Sequence, residues 1–269
     1  MKKPKALIFS GYGINCEEET KFGFRLSGVE ADIVHINDCI DRPGILLRYQ
    51  ILAIPGGFSY GDDTGAGNAY ANKLKNHLWE PLLRFTAGDR LLIAICNGFQ
   101  ILVNTGLLSG LQKPRGTKDI ALLQNESSRL IDRWTDLKNF STSPWLRDMS
   151  TFSLPIGHGE GRLYTTRETL EKMKKNGMIA LRYVKGDICI YQDLPANPTG
   201  TMDDIAGVTD KTGKILGLMP HPERALFFTQ LPQWTYLKEV YTRRGIAMPT
   251  EGPGLQIFKN AASYFTGVI

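Results

Sequence analysis

"LLIAICNGFQ", residues 91–100, runs five apolar residues into a cysteine and then into a polar–glycine pair that opens a second apolar pattern. An apolar run of this length followed at once by helical periodicity reads as a buried strand feeding a helix. Cys96 stands at the junction, at the carboxyl end of the strand, where open α/β sheets bind ligands. Helix amides and the helix dipole at that position favour a thiolate. The amide of Asn97 then faces any oxyanion that forms at an attacked carbon.

Working outward, "KALIFS", "ADIVHI" and "QILAIP" repeat the pattern of short apolar runs ending at Gly, Pro, Asp or a polar loop. Before "LLIAI" lies "NAYANKLKNHLWEPLLRFTAGDR", in which Leu74, Leu78, Leu82 and Phe85 mark one helical face and Pro81 is expected to kink or divide it. Strands alternating with helices imply right-handed βαβ units, and hence an α/β fold with an open, mostly parallel twisted sheet flanked by helices. The second half is richer in strands. "IALLQN", "TFSLPIGHGEGRLY", "IALRYV", "DICIYQD", "DIAGVTD" and "KILGLMP" suggest an antiparallel extension beside the parallel sheet. The stretch from Leu231 to Phe265 reads as two helices separated by "AMPTEGPG", a helical carboxyl-terminal segment at about 231–269. No repeat or linker interrupts the chain, so residues 1–269 read as a single domain.

Composition narrows the function. The 269 residues are 42% hydrophobic and 22% charged, with a formal net charge of +5. No dense Lys/Arg run supports nucleic-acid binding. No apolar stretch is long enough to cross a bilayer, and the apolar part of "MKKPKALIFSGYG" is too short for a signal peptide, so a cytoplasmic location is expected. The cysteines Cys16, Cys39, Cys96 and Cys189 form no CxxC pair, so free thiols are expected and no metal site.

Of the four, Cys96 is the preferred nucleophile. Small residues flank it at Ala94 and Gly98, as in the strained turn that presents the nucleophile of α/β-hydrolases. Cys16 is the competitor, after a strand and near a helix start, but Glu17, Glu18 and Glu19 follow it and disfavour a thiolate. Cys189 reads as packing inside the strand "DICIYQD", and Cys39 as a loop residue without a cationic neighbour in sequence. A nucleophile needs a base, and "GLMPHPERA" supplies His221 with Glu223 two residues on. Pro222 is expected to hold the pair extended, projecting both side chains to one side. Glu223 then orients the imidazole, as the third member of a triad. His158, with Glu160 two residues on, stays open as an alternative base; His35 falls in a strand and His77 on the outer face of a helix. The loop "IPGGFSYGDDTGAGNAY" brings Gly56 and Gly57, which free backbone amides for a second oxyanion donor. It lacks the Gly-Lys-Ser/Thr of a P-loop and the third glycine of a dinucleotide fingerprint.

Taken together, "AICNGFQIL", "PGGFSYGDD", "NPTGTMDDIAG", "HGEGRLY" and "GLMPHPERA" resemble the class I (triad) glutamine amidotransferases, and in particular the glutaminase subunits of phosphoribosylformylglycinamidine synthase. The likeness runs from "FSGYGINCEEET" to Arg224 and implies a flavodoxin-like amidotransferase fold. It implies Cys96 as nucleophile, His221 as base, Glu223 as orienter, and an oxyanion site from the backbone of Gly57 and Asn97. Phe58 and Gln100 fall where that family shapes its glutamine pocket, and "LLQNESSRLIDRW" makes Asn125 and Ser127 further candidates. The implied partners are L-glutamine, a synthetase subunit that carries ATP and magnesium, and a small accessory subunit, with no cofactor in this chain. Ala94 stands where glycine is usual in the family and Thr199 where asparagine is common, and the segment after Arg224 is longer than in compact members. A subunit of another synthetase, a free-standing cysteine amidase and a non-enzymatic scaffold are the alternative readings.

Overall fold

The four apolar runs of the amino-terminal half lie side by side as parallel strands in the computed structural model, which describes residues 3–108 and 116–267. They are β1 (Lys5–Ser10), β2 (Glu30–His35), β3 (Ile51–Ile54) and β4 (Leu91–Ile95). Every residue of β3 and β4 is buried, which is why they read as continuous apolar runs rather than alternating ones. The remaining strands are β5 (Ile120–Leu123), β6 (Ile131–Asn139), β7 (Thr151–His158), β8 (Arg162–Thr165), β9 (Ile179–Val184), β10 (Ile205–Thr209) and β11 (Ile215–Leu218). One nine-stranded sheet has the order β2-β1-β3-β4-β11-β10-β9-β6-β7, and β5 pairs with β8 in a separate two-stranded sheet. The chain is parallel from β2 to β11 and antiparallel from β11 to β7. The antiparallel extension is therefore present, but "IALLQN" forms β5 outside it, and "TFSLPIGHGEGRLY" divides into β7 within it and β8, which pairs with β5.

The helices are α1 (Glu17–Leu26), α2 (Ile36–Asp41), α3 (Asn68–His77), α4 (Trp79–Ala87), α5 (Asn97–Thr105), α6 (Arg167–Lys175), α7 (Asp187–Gln192), α8 (Trp234–Arg243) and α9 (Pro253–Thr266). None of the described helices is long and apolar enough to cross a membrane. Leu74, Leu78, Leu82 and Phe85 are all buried. The break falls at Leu78, which puts Pro81 in the first turn of α4, where its missing N–H leaves no hydrogen bond unmade.

Two cysteines sit in helices where sequence placed them otherwise. "DICIYQD" is not a strand but α7, because the buried carboxylate of Asp136 on β6 accepts from the free amides of Gly186, Ile188 and Cys189 at 3.2, 3.4 and 2.9 Å. A side chain at that helix start supplies what a neighbouring strand would have supplied. Cys39 lies not in a loop but in α2, whose amino end is capped by His35 Nδ1 accepting from the Asn37 amide at 3.2 Å. Burial and Asp38 push the Cys39 thiol up to about 12, which removes it as a nucleophile.

The carboxyl-terminal segment divides in function. The helix α8 buries no residue, whereas α9 enters the core, its Phe258 meeting Phe24 of α1 edge to face at 4.9 Å between ring centres. The amino end of α9 also braces the turn after β11. Gly254 donates to the carbonyl of Ala225 at 2.8 Å, and a Cβ there would stand 2.0 Å from the carbonyl oxygen of Pro222, so only glycine fits.

Candidate active site

Three adjacent strand ends build the site. Leu218 pairs with Ile95 across β11 and β4, and the Cys96 amide continues that ladder by donating to Leu218 at 2.8 Å. The residues after β11 therefore emerge beside those after β4. On the other side Ile54 pairs with Ala94, which sets Gly56 and Gly57 next to the cysteine. Sequence positions 56, 96 and 221 meet at one point. A Cβ on Gly56 would stand 2.9 Å from His221 Cε1, 3.3 Å from Cys16 Sγ and 3.5 Å from Cys96 Cβ.

Cys96 occupies a backbone conformation, φ 51° and ψ −109°, that L-residues rarely adopt. Strain of this kind persists only where the surroundings impose it, and it aims the side chain out of the strand-to-helix turn. Gly98 is required by the same turn, since a Cβ there would sit 1.9 Å from the carbonyl oxygen of Ile54. Ala94 is wholly buried within β4 and is accommodated in the ladder. Among the described residues, the backbone amides of Gly57 and Asn97 make no hydrogen bond within the chain, so both are free to donate to an oxyanion. The Asn97 side chain instead ties the loop after β3 to the turn, accepting from the Ser59 amide at 3.0 Å and donating to Asp62 Oδ1 at 3.1 Å and Gln100 Oε1 at 2.8 Å.

His221 and Glu223 are buried, and Nδ1 lies 2.5 Å from Oε1. The pair is not extended. His221 has extended backbone, but Pro222–Arg224 forms a 3-10 turn that folds Glu223 back onto the ring. Proline suits this because it opens a helical turn as readily as it ends a strand. Burial works against charge on the imidazole, yet Glu223 and the Cys96 and Cys16 sulfurs together hold its pKa well above the ordinary value. The other ring nitrogen, Nε2, is buried and makes no well-formed hydrogen bond among the described residues, and the Cys96 and Cys16 sulfurs stand near enough to the ring to bond it. His158 is a different group. It is buried, and burial followed by the charge of His221 pushes its pKa down to about 3, so it stays neutral and cannot compete as a base at neutral pH. Its ring packs on Gly161, where a Cβ would stand 1.9 Å from its Cε1.

A cleft of about 160 Å³ opens on Cys96, lined by Gly57, Phe58, Asp62, Gln100, Leu130 and the 157–160 turn. That is far below the roughly 300–1,000 Å³ of pockets for drug-sized ligands, and suits one small polar molecule. Phe58 and Gln100 line it, and Gln100 Nε2 donates to the Glu160 carbonyl at 2.6 Å. Asn125 and Ser127 stand outside the lining. The Asn125 side chain is spent on the turn, donating to Arg129 and His158 carbonyls at 2.9 and 2.8 Å and accepting from Gly161 at 3.1 Å. Ser127 is exposed and accepts from the Arg129 amide at 3.3 Å. From the same segment it is Leu130 that reaches the cleft. Sequence reading also passed over Asp62 and Glu160 as lining carboxylates, although both fall inside quoted motifs, "GGFSYGDD" and "HGEGRLY". Ligand atoms of Cys16, His221 and Glu223 lie within 4.8 Å of one another, close enough for a metal ion. The Arg224 guanidinium, 3.2 Å from the Cys16 sulfur, opposes a cation there.

Residues 3–265 match the family model of the CobB/CobQ-like glutamine amidotransferase domain. The chain is 44% identical over 265 residues to a Methanococcus maripaludis protein named phosphoribosylformylglycinamidine synthase subunit PurQ, covering 97% of each. It is 42% identical over 268 residues to a Dehalococcoides mccartyi protein of the same name, covering 98% of each. Among solved structures, a chain of PurLQS from Thermotoga maritima superposes with a TM-score of 0.69 at 28% identity, covering 98% of this chain and 100% of that one. The chain belongs to the CobB/CobQ-like glutamine amidotransferase family, among the glutaminase subunits of phosphoribosylformylglycinamidine synthase.

Proposed function

We propose that the chain hydrolyses the side-chain amide of glutamine through a thioester on Cys96 and passes the ammonia to an ATP-dependent synthetase chain. The convergence of Cys96, the His221 ring beside its sulfur and the free amides of Gly57 and Asn97 at three strand ends supports the reading. His221 takes the thiol proton, and the thiolate attacks the amide carbon. The oxyanion is held by the two amides, each worth about 3 kcal/mol of barrier. The imidazolium gives its proton to the leaving nitrogen as the carbonyl re-forms, releasing ammonia and leaving the γ-glutamyl thioester. Neutral His221 then takes a proton from water, and the resulting hydroxide attacks the thioester to release glutamate. Glu223 holds the ring through Nδ1 throughout and stabilises each imidazolium.

In this reading ATP and magnesium act on the synthetase chain, and a small accessory subunit completes the assembly. A glutaminase running alone would waste glutamine, so the activity is expected to be low until the synthetase chain binds. The test is labelling with a glutamine chloroketone, followed by ammonia release with and without the synthetase chain. The expected result is one adduct, on Cys96, lost in Cys96→Ala, with turnover stimulated by the partner. An unlabelled Cys96 would overturn the catalytic reading, and a full rate in the isolated chain would overturn the coupling.

A further inference from the structure

A second thiol stands at this centre, and the mechanism above does not use it. Cys16 is 1% exposed at the amino end of α1, held there by its amide, which donates to the Gly56 carbonyl at 3.2 Å. Its sulfur donates to Asn15 Oδ1 at 3.3 Å and accepts from Arg224 Nη2 at 3.2 Å. Arg224 immediately follows Glu223, and among the described residues no carboxylate lies within ion-pair distance of it. Its Nη1 approaches β7, 3.9 Å from where a Cβ on Gly157 would stand. The Gly157 carbonyl in turn faces the Cys96 sulfur at 3.8 Å. The guanidinium is thus wedged between the Cys16 sulfur and the strand that backs the nucleophile.

Charge counting gives this placement a purpose. The reactive state holds a Cys96 thiolate, a His221 imidazolium and a Glu223 carboxylate, a net charge of minus one in a buried site. An uncompensated buried charge is costly, and a nearby cation removes that cost. Arg224 is the nearby cation, and burial, which works against its charge, is outweighed by Cys16, Glu223 and Cys96. We propose that Cys16 and Arg224 form a positioning pair, in which the Cys16 sulfur fixes the guanidinium beside the triad so that its charge stabilises the Cys96 thiolate. The inference rests on Cys96 being the nucleophile. Neither residue lines the cleft.

The titratable and charged groups facing Cys96 and Arg224 are His221, Glu223 and Arg224 after β11, Cys16 before α1, His158 on β7, Tyr183 on β9, Asp132 on β6, whose Oδ1 shares the approach to Gly157 with Arg224, and Asp62 and Glu160 across the cleft. The experiment isolates Arg224 and Cys16 among them. The full chain is alkylated with iodoacetamide from pH 5.5 to 9.5 and the Cys96 adduct is quantified by peptide mass spectrometry, for wild type, Arg224→Met, Arg224→Lys and Cys16→Ala. In Arg224→Met the Cys96 rate is expected to fall about tenfold at pH 6.5 and to stay within twofold of wild type at pH 9.5, the pattern of a thiolate that has lost a neighbouring cation. Arg224→Lys should recover part of the low-pH rate. Cys16→Ala, which leaves the cation in place but unanchored, should lose a smaller part of it. Superimposable pH profiles overturn the pairing, and so does an equal loss at every pH, which marks a merely structural role. Should Arg224→Met fail to fold, Cys16→Ala carries the same decision. Failure of wild-type Cys96 to react at any pH strikes instead at the reading of the site.

Discussion

Nδ1 of His221 lies 2.5 Å from Oε1 of Glu223, in a place where 2% of one side chain and none of the other meets solvent. Burial alone would drive the proton off this imidazole; the carboxylate, with the Cys96 and Cys16 sulfurs, reverses that and keeps its pKa well above the ordinary value. The sign follows. A histidine with a raised folded-state pKa lends its full stabilisation below the unfolded value of about 6.5 and loses it as pH rises through the folded value. Glu223→Gln preserves shape and removes the charge, so ammonia release in the complex should fall by about 10²- to 10⁴-fold. His221→Ala should be the less stable variant, because it leaves a buried carboxylate unpaired at a cost of about 3–5 kcal/mol. Steady-state kinetics and urea unfolding read the two effects separately. A Glu223→Gln rate within threefold of wild type would remove Glu223 from the triad.

Asp62 and Glu160 face the same small cleft, and among the described residues no lysine or arginine lines it. Burial raises the pKa of Asp62, hydrogen bonds from Gly67 and Asn97 oppose this, and Glu160 adds to the rise. Two carboxylates held near one another attract an ammonium, and the substrate carries one on its α-carbon. Asp62→Asn should therefore raise KM for glutamine about 10- to 100-fold with little change in kcat, the signature of lost uniform binding. The variant should also lose preference for glutamine over glutaramate, which lacks the α-amino group. An unchanged preference would place the ammonium elsewhere.

How much of this was legible in the sequence follows from the range of the forces involved. The strand ends carrying Gly57, Cys96 and His221 could be read because burial on both sheet faces writes continuous apolar runs, and because glycine and proline mark their ends. The helix at Cys189 could not, because its cause, Asp136, lies on β6 and approaches only after the sheet forms. The glutamates after Cys16 argue against it in the sequence, but Glu18 and Glu19 are exposed on α1, and the charged group that reaches the sulfur is Arg224, 208 positions away. Asn125 is a pocket candidate by family resemblance alone, whereas its amide closes the 158–161 turn.

His158 gives the site a pH limit that is separate from catalysis. Burial, and then the neighbouring charge on His221, push its pKa down to about 3, and neither ring nitrogen has a hydrogen-bond partner among the described residues. In the unfolded chain the same ring titrates near 6.5. Above that value both states are neutral and the group has no effect. As pH falls below it the unfolded chain takes up a proton that the folded chain refuses, so stability falls with pH until the folded value is reached. Between pH 7 and pH 4.5 the loss from this one ring is about 3 kcal/mol. Urea unfolding of wild type and His158→Gln at both pH values measures it, because every other titrating group is common to the two proteins. The variant should lose about 3 kcal/mol less than wild type on acidification. Equal losses would mean that the folded protein protonates His158 as readily as water does, and that the 158–161 turn is open to solvent.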